Sequence, residues 1–63
     1  MHNVELRDAI RRSGYYSYEI AAAVGMSETA FSRQMARSEF PEDKKEQILR
    51  TIQKMIAERA ERV

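Results

Sequence analysis

Within one short stretch the chain carries Ser27, Glu28, Thr29, Ser32 and Arg33, which supply three hydroxyls, a carboxylate and a guanidinium. These groups can hydrogen-bond a polar surface but are not equipped for catalysis. A nucleophile needs an adjacent base and a third group to orient that base. No such set stands anywhere in the chain, there is no glycine-rich phosphate loop, and 63 residues are too few to enclose a substrate. No cofactor or small-molecule substrate is expected, and the reading is not that of an enzyme. Metal chemistry fares no better. His2 is the one histidine and there is no cysteine, so no ligand set stands at metal spacing.

Recognition is the chemistry that remains. On the outer face of a helix, the Arg33 fork matches the O6 and N7 acceptors of a guanine. Thr29 offers a hydroxyl or meets a thymine methyl. Glu28 can accept from cytosine N4 or serve only the helix dipole. Arg37, at the helix exit, reads as a phosphate clamp. The plain alternative for Arg33 is a solvated surface charge.

The elements that must position these groups run from Ser17 to Arg37, and the spacing predicts two short helices joined at Gly25. Ser17 is the expected N-cap of the first, and Ile20, Ala21 and Val24 share its inner face. Gly25 stands where a left-handed residue ends a helix without a Cβ penalty. Ser27 is the expected cap of the next helix, about Glu28 to Ala36, whose inward stripe is Phe31 and Met35. Small Ala21 allows a close crossing, which makes the pair a helix-turn-helix.

Ile20-Ala21, Val24-Gly25, Ser27, Phe31 and Ser32-Arg33 resemble the helix-turn-helix of the lambda-repressor-like superfamily, the group of Cro and the phage repressors. The motif covers a third of the chain. It departs from the family at Gln34, where a second apolar residue is usual; Met35 takes that role one position later. The resemblance implies a DNA-binding regulator with Ser27, Glu28, Thr29, Ser32 and Arg33 at base edges in the major groove. Tyr16, Ser17 and Arg37 are the expected phosphate contacts.

The flanks supply the remaining core. Asn3 is the expected N-cap of a first helix to about Ser13, with Leu6, Ala9 and Ile10 inward and Arg7, Arg11 and Arg12 toward solvent. Gly14 ends it. Tyr15, Tyr16 and Tyr18 are expected to bridge helices, rings packed and hydroxyls wet, with a phosphate contact as the alternative. After Phe40, which packs under the head, Pro41 opens a long last helix. Its first half buries Ile48, Leu49 and Ile52. The stripe then continues as Met55, Ile56, Ala60 and Val63, which predicts pairing with a second copy through residues 53–63. The alternative is that the tail folds over its own head.

The expected architecture is therefore all-α: one compact four-helix domain spanning 1–63, with a central helix-turn-helix and a long C-terminal helix. The absence of cysteine and of any long apolar run predicts a cytoplasmic protein with no membrane partner. Charge is the dissenting observation, since the net is only +1. Residues 1–38 hold five arginines against four carboxylates, and residues 39–63 hold six charges of each sign. Double-stranded DNA as partner must rest on motif and placement, not on bulk charge. Near-neutrality favours the competing expectation, a protein-interaction module of the antitoxin or inhibitor kind that keeps the fold without reading DNA.

Overall fold

The computed structural model describes residues 2–61, and among them the chain forms four α-helices and no strand: α1 (Val4–Ser13), α2 (Ser17–Ala23), α3 (Glu28–Arg37) and α4 (Glu42–Glu61). Each helix gives one stripe to a shared core of Leu6, Ile10, Ile20, Ala21, Val24, Phe31, Met35, Phe40, Ile48 and Ile52. The Phe31 and Phe40 rings meet at 5.7 Å, tilted by 37°. α4 lies against α1 and α2, and α2 carries α3. A helix of this length spans about 30 Å, and the molecule measures 37 × 20 × 19 Å.

Each boundary has a local cause. α1 stops at Gly14, whose φ is 78°, and the buried Ser13 hydroxyl donates back to the Ile10 carbonyl at 2.6 Å. α2 ends in a Schellman motif: Gly25, at φ 80°, donates to the Ala22 carbonyl, and Met26 donates to that of Ala21. Ser27 caps α3, its hydroxyl accepting from the Ala30 N–H at 3.2 Å. Glu42 and Asp43 fill the first turn of α4, where the helix dipole favours negative charge. Across the helices Lys45 meets Glu5 at 3.1 Å, and that carboxylate raises the Lys45 pKa above its ordinary range.

Three expectations are corrected. Ser17 is not the cap of α2. Tyr16 occupies the cap position, and the Glu19 carboxylate accepts its N–H at 2.9 Å. Ser17 is instead the first helical residue, because Glu19 satisfies the helix start from inside. Asn3 stands at the cap position of α1 but caps nothing; its backbone is left-handed, φ 57°, and its side chain turns toward α3. Arg7 is exposed, as expected, and in addition bonds the end of α3. Of the three tyrosines only Tyr15 bridges elements, donating its hydroxyl to the Met55 carbonyl at 3.0 Å. Tyr16 and Tyr18 stay 68% and 52% exposed.

The reach of the head along α4 is also greater than expected. Met55 is half-buried against the chain's own core, so the uncovered stripe begins at Ile56, which is 38% exposed. One turn further, the Arg59 guanidinium lies 4.6 Å from the centre of the Tyr15 ring. It donates to the Ser13 carbonyl at 2.7 Å, filling one of the acceptors that the end of α1 leaves open. Ala60 is exposed. Val63 lies outside the described residues.

Candidate nucleic-acid interface

The outer face of α3 follows from its inner one. Phe31 and Met35 are buried on α2 and the core, and 3.6-residue periodicity turns the residues between them outward. Ser27, Glu28, Thr29, Ser32 and Arg33 are all exposed, as is Arg37 at the helix end. The Ser27 hydroxyl accepts from Ala30 and keeps its own proton to donate. Among the described residues no carboxylate pairs with Arg33 or Arg37, a condition they share with Arg7, Lys44, Lys54 and Arg59, whereas Arg11, Arg12, Lys45 and Arg50 each pair with one.

What holds α3 at its far end is a polar latch. Asn3 is 4% exposed, and its amide donates to the Ser38 carbonyl at 2.7 Å and to the Met35 carbonyl at 3.1 Å. A longer contact of 3.5 Å reaches Gln34. The same side chain accepts the Phe40 N–H at 3.0 Å. Its own N–H donates to Glu39 at 2.9 Å. Arg7 adds a second donor to the Met35 carbonyl at 3.0 Å, and its Nε donates to His2 at 2.9 Å. These bonds take up carbonyls that the end of α3 cannot satisfy internally. Ser27 fixes one end of α3 and the latch fixes the other.

Ser17 and Ser32, far apart in sequence, line one cleft of about 370 Å³ together with Arg7, Arg11, Ile10, Phe31, Met35 and Ala36. Arg11 is held by Asp8 at 3.1 Å. Tyr16, beside Ser17, stacks on Tyr18 with ring centres 5.7 Å apart and planes within 9°. Glu28, Thr29, Arg33 and Arg37 lie outside the cleft, so the candidate residues fall into two groups, one at the cleft with Ser17 of α2 and Ser32 of α3 and one along α3 alone.

Sequence reasoning missed Asn3, Arg7 and Arg11. Asn3 carried a usable signal, because asparagine tolerates the left-handed region better than other side chains. Nothing in the spacing of Arg7 or Arg11 marked them apart from Arg12. Among the described residues no three metal-ligating side chains gather, and no helix is long and apolar enough to cross a membrane. The chain matches no family model, and no curated protein or solved structure matches it significantly.

Proposed function

We propose that this chain is a sequence-specific double-stranded-DNA-binding regulator of transcription, a repressor by occupancy, like the small Cro-type proteins its helix-turn-helix resembles. The observation that carries the reading is the outer face of α3. Hydrogen-bonding side chains of mixed type stand exposed on a helix fixed at both ends, and two arginines there lack carboxylate partners. In this docking α3 enters the major groove, Thr29 and Arg33 meet base edges, and Tyr16, Ser17 and Arg37 meet phosphates. Two copies occupy successive half-sites, with Ile56 and Ala60 of each α4 facing one another across the dyad.

Selection of bound duplexes from a random pool tests the reading, because it reports binding, site and half-site spacing together. Salt titration on the selected duplex should show affinity falling steeply with ionic strength, since phosphate contacts release counterions. Arg33→Ala should abolish preference at one base pair, a loss of about 1–3 kcal/mol. A salt-independent affinity, or an Arg33→Ala variant that keeps full preference, counts against it.

A second reading draws on the exposed Tyr16–Tyr18 stack. Aromatic side chains are enriched where proteins meet proteins, so an interaction module without DNA affinity is the competing function. A chain that ignores every duplex but co-purifies with one protein partner selects that alternative.

A further inference from the structure

The cleft between α1 and α3 has an apolar floor, Ile10, Phe31 and Met35, and a rim of Arg7, Arg11, Ser17 and Ser32. We propose that it seats one backbone phosphodiester of bound DNA, with Arg11 as the cationic ligand; the proposal rests on the DNA-binding reading above. α1 then belongs to the interface, although its arginines carried no such mark in the sequence.

Three features point to that occupant. Ser32 belongs to both the cleft and the outward face of α3, so a duplex lying on α3 brings its backbone to this rim. Arg11 is 81% exposed, and one Nη2 bond to Asp8 leaves most of its five donors for an anion. Asp8 does not cancel it, because the same carboxylate also pairs with Arg12 at 3.2 Å, and two cations share one anion. Arg7 acts differently. It spends two of its five donors on the His2 and Met35 carbonyls, which holds its guanidinium against the wall. The Ser17 and Ser32 hydroxyls supply neutral donors of the kind that commonly meet phosphate oxygens.

The pair Arg11 and Arg12 provides its own control. Both are on α1, both bind Asp8, and their exposures are 81% and 80%. Only Arg11 lines the cleft. Arg11→Ala and Arg12→Ala therefore remove the same charge from nearly the same place. Fluorescence anisotropy on a selected duplex between 50 and 200 mM salt separates them. One phosphate contact contributes about 0.9 to the slope of log affinity against log salt. Over that fourfold range, the advantage of the unmodified protein over Arg11→Ala should shrink about 3.5-fold. Arg12→Ala should keep the full slope, Arg11→Lys should keep it as a point charge, and base preference should not change in any of them. Equal slopes for the two alanine variants, in a protein that still binds DNA, overturn the phosphate seat and leave the function standing. An unmodified chain that binds an acidic peptide and no duplex overturns both.

Discussion

Asn3→Ala is the substitution on which the structure makes its sharpest demand. An N-terminal cap replaced by alanine costs about 1 kcal/mol, and asparagine and aspartate serve equally well there. The geometry found for Asn3 requires a larger loss. Its side chain makes three good bonds, to Ser38, Met35 and Phe40, each with a net value of about 0.5–1.5 kcal/mol. Alanine also loses asparagine's tolerance of the left-handed backbone, which costs other residues about 1–2 kcal/mol. Together these give about 3–4 kcal/mol, discounted for water reaching the rim of the latch. A domain of this size holds about 3–9 kcal/mol in total, so the variant sits near its unfolding threshold. Urea denaturation followed by circular dichroism measures the loss. Asn3→Asp distinguishes the two explanations, because a carboxylate keeps the acceptor for the Phe40 N–H but faces the Met35 and Ser38 carbonyls without a donor. It should be at least as damaging as alanine. An aspartate variant as stable as the unmodified chain, with alanine costing only about 1 kcal/mol, would refute the latch.

Arg59→Ala should cost about 1–2 kcal/mol, from the lost contact with the Tyr15 ring and the Ser13 carbonyl left without its donor. Hydrogen exchange should show the loss concentrated in the last turns of α4, and an unchanged pattern refutes the tether. Without DNA the chain should sediment as a monomer at about 10 μM, where a lasting dimer needs roughly −8 kcal/mol of association energy. A dimer that persists at that concentration refutes the small interface assigned to Ile56 and Ala60.

The parts of the fold that were legible in the sequence are those governed by local rules. Gly14 and Gly25 end helices because only glycine enters the left-handed region freely. Ser27 caps because its hydroxyl lies one turn from the N–H it satisfies, and Phe31 and Met35 face inward by simple periodicity. The errors came where a side chain had a choice of distant partners. Asn3 bonds residues more than thirty positions away, and no local pattern separates that from a cap. Tyr15 and Tyr16 are adjacent and identical, yet one reaches the Met55 carbonyl and the other faces solvent. The candidate site divides the same way. The outward set on α3 was legible from its period, but the cleft that joins Ser17 to Ser32 depends on where α1 comes to lie.

The smaller apolar stripe on α4 limits how two copies would cooperate in the proposed dimer. Full burial of an isoleucine contributes about 1.5–3 kcal/mol. Ile56 is only 38% exposed, so covering it in both copies contributes on the order of 2 kcal/mol. Association in solution costs about 4–15 kcal/mol, and the described part of α4 falls short of that. Under the proposed DNA binding a single head is also a weak ligand, because a net charge of +1 gives little long-range attraction for phosphate. These two deficits are resolved by the same object. In that proposal a duplex with two half-sites would hold the heads at high effective concentration, so a modest α4 contact would add to affinity without first overcoming the full cost of association. Selectivity would then come from spacing as much as from the proposed Arg33 contact, because only half-sites at the right separation would let both heads and the α4 contact form together.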